Sequence, residues 1–98
     1  MPNTIRVVAL MNVRPEKLED TLNAFDSLVA ATRQEEGCLT YELLQNVEDP
    51  HDLTFVEEWA SAEALQVHFE TEHFKAVAAR AAELLAAPPD IRRYTVIK

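Results

Sequence analysis

Residues 5–13 alternate as a β-strand does, with Ile5, Val7, Ala9 and Met11 on one face and Arg6, Val8, Leu10 and Asn12 on the other. Both faces are mostly apolar, so the strand is expected to be covered on both sides. Pro15 opens a helix at a position where its missing N–H costs nothing. Over 16–35, Leu18, Leu22, Phe25, Leu28, Val29 and Thr32 recur at three- and four-residue steps and form one apolar stripe. Gly37, the only glycine, follows and is expected to close that helix in a left-handed conformation.

The second half repeats the theme. Residues 38–46 read as a strand in which Leu39, Tyr41 and Leu43 alternate with Thr40, Glu42 and Leu44. Turn chemistry at Asp49-Pro50 and Asp52 separates it from a third strand over 53–59, which predicts an antiparallel hairpin. Ser61 is a good N-cap for a helix from 62 to about 86, interrupted near Thr71 and stopped by Pro88-Pro89. A last strand is expected over 91–97, with Ile91, Arg93, Thr95 and Ile97 opposite Arg92, Tyr94 and Val96. The order predicts one α+β domain over 1–98, a ferredoxin-like βαββαβ sandwich with helices on one face of an antiparallel sheet. The uncovered face then needs a partner, and a second copy of the chain is the simplest one.

Composition narrows the partners further. At 98 residues the chain buries only about 60–65% of its unfolded surface, so oligomerisation would help. A net charge of -8 disfavours nucleic acid and anionic membranes. No run approaches the ~18 apolar residues of a membrane span. Residues 1–4 are not basic, so no secretory leader is expected. The lone Cys38 excludes an internal disulfide and fits a reducing cytoplasm.

Candidate chemistry is concentrated in residues 55–74, which hold the only Trp and two of the three His. Glu57 shares a strand face with Leu53, Phe55 and Trp59. An acid in an apolar row is either the partner of an arginine, with Arg92 or Arg93 as candidates, or a pocket acid or base of raised pKa. Trp59 reads as core or interface packing. His68 follows Leu65 on the apolar side of its helix and is the better candidate base; His73 is the second. On a continuous helix their five-residue spacing turns the second ring by about 140°, so no metal site is expected from them with Glu70 and Glu72 unless the helix kinks. Cys38 lies beside Glu35 and Glu36, which oppose a reactive thiolate. One glycine cannot build a phosphate loop or a dinucleotide fingerprint.

Taken together, Glu35-Glu36-Gly37-Cys38-Leu39-Thr40-Tyr41-Glu42, Phe55-Val56-Glu57-Glu58-Trp59, Leu65-Gln66-Val67-His68-Phe69 and His73-Phe74-Lys75 resemble the antibiotic biosynthesis monooxygenase family, and its quinol monooxygenase branch most. The resemblance implies a homodimer whose two sheets form an α+β barrel, with a pocket between each sheet and its helices. It also implies oxygenation of a quinol or related aromatic by O2 without metal, flavin or haem. His68 is then the catalytic base, and Trp59, Tyr41, Glu57, His73 and Phe55 contact the substrate. A haem-degrading branch resembles this one in fold, but its Asn, Trp and His positions correspond here to Ala9, His68 and Ala78, which disfavours haem. Two other readings stay open: an isomerase or lyase on a small polar metabolite held by Glu57, Arg92 and Arg93, and a non-catalytic small-molecule-binding module.

Overall fold

The computed structural model describes residues 4–98. Residues 1–3, which entered the leader-peptide argument, lie outside them. Four strands, β1 (Ile5–Asn12), β2 (Cys38–Gln45), β3 (Asp52–Trp59) and β4 (Asp90–Tyr94), form one antiparallel sheet in the order β2-β3-β1-β4. β1, the strand richest in apolar residues, takes a central place beside β3. A 3-10 turn over Pro15–Lys17 leads into α1 (Leu18–Thr32), and α2 (Ala62–Phe69), α3 (Glu72–Ala78) and α4 (Ala81–Leu84) follow β3. This is the expected α+β, ferredoxin-like arrangement.

The core lies between the helices and one face of the sheet. On β3, Leu53, Phe55, Glu57 and Trp59 are all buried, while the residues between them are partly exposed. Val7 and Ala9 continue that face on β1, and Tyr41 does so on β2. The helices answer with Phe25 and Leu28 of α1, Leu65 of α2 and Leu84 of α4. The Phe25 and Phe55 rings meet at 4.9 Å between centroids. Thr21 and Thr32 extend the buried stripe of α1, and the Thr21 hydroxyl donates to the Lys17 carbonyl at 2.7 Å, so its polarity is satisfied where it is buried.

Three local expectations change. Gly37 has no positive φ, and α1 already ends at Thr32, with Arg33 as its C-cap. The glycine instead answers a close approach: a Cβ there would lie 2.3 Å from the Ala64 Cβ on α2. Secondly, the second helix breaks near Thr71 as expected, but breaks again further on, into three short ones. Thr71 makes the first break, as its hydroxyl donates to the His68 carbonyl at 2.8 Å and accepts the Phe74 N–H at 3.2 Å. One side chain thus ends α2 and caps α3. A second break at Ala79 and Arg80 precedes α4, after which Leu85 runs extended and bridges Val13. Thirdly, β4 stops at Tyr94, at one edge of the sheet, and all five of its residues are exposed.

Gly37→Ala is expected to destabilise the fold by about 1–3 kcal/mol through overpacking, read as a lower urea midpoint. Adding Ala64→Gly to that variant removes the clash and should recover stability, less roughly 1 kcal/mol for glycine in a helix.

Candidate active site

A cavity of about 310 Å³ opens between the sheet and its helices. That is the lower end of the roughly 300–1,000 Å³ typical of small-molecule sites. Its wall is apolar except for Tyr41, Glu57 and His68. Four of the residues expected at the site, Tyr41, Phe55, Glu57 and His68, line it. Trp59 and His73 are not part of the lining. Trp59 is wholly buried, with its ring centroid 4.6 Å from that of His68, so it supports the imidazole from behind.

His68 is set by its position in the last turn of α2 and by the aromatic rings around it. Phe74 stands 5.0 Å away and Tyr41 5.6 Å, both edge-on. The imidazole Nδ1 lies 2.8 Å from Glu35 Oε2. A proton must lie between them, so Nδ1–H donates to the carboxylate. In the neutral ring Nε2 then carries the lone pair. Burial holds the His68 pKa below the ordinary imidazole value, against the opposing pull of Glu35. The ring is therefore a neutral acceptor at neutral pH.

Glu35 is the functional residue that reading the sequence missed. It sits in the turn between α1 and β2, and its Oε2 also accepts from His73 Nε2 at 2.6 Å. Its neighbour Glu36 is exposed. The break at Thr71 swings His73 back toward His68, and the rings come to 6.2 Å. Glu35, His68 and His73 thus form a cluster whose ligand atoms all lie within 4.8 Å. Nothing local in the pair Glu35-Glu36 marks which one turns inward; the adjacent glycine, needed for contact with α2, is the one sequence cue.

Glu57 has no arginine partner. The Trp59 indole N–H donates to its Oε1 at 2.8 Å. Arg92 lies on the opposite face of the sheet and pairs with Asp90 at 2.8 Å. Arg93 shares the face, but Val7 stands between it and Glu57, and its guanidinium lies over the Phe69 ring at 5.6 Å. Burial pushes the Glu57 carboxyl up to about 7; the indole N–H pulls it down, and the Glu35 charge adds to the rise. Burial, then the Glu57 charge, also holds the Tyr41 phenol above its ordinary range. Cys38 is pushed up to about 11 by burial and by Glu35 and Glu57, so its thiol is inert.

The match that decides the family runs over residues 4–80, which fit the model of antibiotic biosynthesis monooxygenases. The chain belongs to the antibiotic biosynthesis monooxygenase family. YcnE of Bacillus subtilis, provisionally named a monooxygenase, is 39% identical over 85 residues, covering 87% of this chain and 90% of that protein. A conserved protein from Methanosarcina mazei Go1 superposes with a TM-score of 0.90 at 38% identity, over 95% of this chain and 92% of that one. A crystal structure named as an antibiotic biosynthesis monooxygenase gives 0.91 at 30% identity, covering 96% and 99%. Within this family's fold, no helix among the described residues is long and apolar enough to cross a membrane.

The raised Glu57 pKa makes stability depend on pH. Between its ordinary value near 4.5 and its folded value near 7, the folded state holds a proton that the unfolded state has lost. Stability therefore falls as pH rises through that window, by about 3 kcal/mol in all. Glu57→Gln keeps an acceptor for the indole and removes the titration. Urea midpoints measured from pH 4.5 to 8 are expected to show the variant gaining on the natural protein as pH rises.

Proposed function

We propose that this protein is a cofactor-independent monooxygenase that oxidises a quinol or related polyphenol with O2. The observation that supports this most is an apolar cavity in which a neutral imidazole is held with Nδ1–H on Glu35. In this reading His68 Nε2 takes a phenolic proton and Glu35 stabilises the imidazolium that forms. A phenol of ordinary pKa near 10 would lose about 5 kcal/mol on giving its proton to an ordinary imidazole, and more on giving it to His68, whose pKa burial holds lower. The charge pair created inside an apolar wall recovers part of that cost. The electron-rich phenolate then reduces O2. A hydroquinone and O2 yield a hydroxyquinone and water, with one oxygen atom entering the ring and the other leaving as water.

Tyr41 and Phe55 pack on the substrate ring, and Glu57 faces one of its polar groups. Trp59 and His73 act through His68 and Glu35, as neither reaches the cavity wall. Arg92 and Arg93 are absent from that wall as well, so an anionic metabolite would lack its anchors there. The inert Cys38 thiol suits a cytoplasmic setting.

The proposal includes a homodimer. The sheet face away from the helices carries Val8, Leu10, Leu44 and Tyr94, the last three 37%, 48% and 46% exposed. Pairing two such faces buries them and forms a barrel.

Oxygen uptake by chelator-treated protein over a panel of hydroquinones tests the chemistry. At least one should be consumed, with kcat about 10²–10⁴ lower in His68→Ala. Uptake that the variant leaves unchanged for every active substrate rejects His68 as the base. Sedimentation at micromolar concentration is expected to give twice the 11.1 kDa chain mass; a monomer rejects the paired sheets.

A further inference from the structure

We propose that Glu35, His68 and His73 form a binding site for a divalent transition-metal ion of the zinc type. The donors are Glu35 Oε2, His68 Nδ1 and His73 Nε2, brought by three separate elements to within 4.8 Å of one another. Two imidazoles and one carboxylate are a donor set that suits zinc and its neighbours. Magnesium and calcium prefer oxygen ligands throughout, which this cluster does not offer.

A second observation points to a cation. Both imidazoles crowd onto one oxygen, at 2.8 and 2.6 Å, while the other oxygen, Glu35 Oε1, is buried with no hydrogen-bond partner in the protein. A buried carboxylate oxygen without a partner is costly. A bound ion would draw charge from both oxygens and take the lone pair of each ring.

The geometry needs only a small adjustment. Tetrahedral zinc with arms of about 2.1 Å sets its donors roughly 3.4 Å apart. The two hydrogen-bonded pairs must therefore open by less than about 1 Å, while the two imidazole nitrogens, up to 4.8 Å apart, close by up to about 1.4 Å. The two histidines stand on opposite sides of the break at Thr71, so no single rigid helix fixes their separation. The His73 side chain is 27% exposed, which gives an ion a route from solvent.

The site is set behind the catalytic pocket. Glu35 and His73 take no part in the cavity wall, which His68 alone of the three reaches. An ion on Nδ1 obliges the neutral His68 ring to carry its single proton on Nε2. The proton moves from one nitrogen to the other and none is lost. Nε2 thereby changes from acceptor to donor. If His68 is the base proposed above, a bound ion silences it; this last consequence rests on that reading, whereas binding does not.

Calorimetric titration of metal-free protein with Zn(II) tests the site, with Co(II) absorption reporting nitrogen ligation. One ion per chain is expected, with a Kd in the micromolar range or tighter and a higher Tm on saturation. His73→Ala and Glu35→Gln should each weaken binding at least tenfold. His51→Ala, which alters the only other histidine, should leave it unchanged. Long-range ¹H–¹⁵N spectra should show the His68 proton move from Nδ1 to Nε2 when Zn(II) is added to the natural protein. The proposal is overturned by no saturable binding at 1 mM Zn(II), by binding that survives both cluster variants, or by loss of binding in His51→Ala. The chelator-treated oxygen assay is unaffected by any of these results, so the two proposals fail separately.

Discussion

One carboxylate oxygen, Glu35 Oε2, ties the turn after α1 to two of the three helices that follow β3. It accepts from His68 in α2 and from His73 in α3. Without it, His68 would bury a polar ring among aromatic neighbours at a cost of kilocalories. With it, the ring has one orientation and one tautomer. The short helices are arranged around that requirement: Thr71 breaks the helix where the second imidazole must turn back, and its hydroxyl satisfies both broken ends.

Two buried carboxylates face different tasks in one small core. Glu35 is shared by two imidazoles. Glu57 meets only an indole N–H, in a row of apolar side chains, and its carboxyl is pushed up toward neutrality. The Glu35 charge adds to the rise at Glu57, and both charges raise Tyr41 and Cys38. The result is a pocket wall in which the Tyr41 phenol stays protonated and His68 and Glu57 are the two groups able to accept a proton. Trp59 contributes to both sides of this arrangement, donating to Glu57 and packing on His68.

The family relation explains the fold and the general form of the pocket, but the chemistry resides in the particular side chains that reach it. Here the wall is nearly all hydrocarbon, which favours a flat apolar ligand with few polar groups. The arginines that would serve a charged ligand are occupied elsewhere, Arg92 by Asp90 and Arg93 over Phe69.

The amino-acid sequence by itself determined the elements and the buried face. Pro15, Ser61, Thr71 and Pro88-Pro89 mark boundaries through backbone chemistry confined to a few residues. Leu53, Phe55, Glu57 and Trp59 declare a common face because a strand repeats every two residues. His68 stood out over His73 for the same local reason, its place on an apolar helical side. What tertiary structure decided were pairings between distant residues. Glu35 meets His68 and His73 across 33 and 38 positions. Gly37 serves a helix that begins 25 residues later, and Glu57 is denied an arginine because Val7 occupies the intervening strand. Periodicity describes which way a side chain faces along its own element; whom it meets there depends on how the elements are packed.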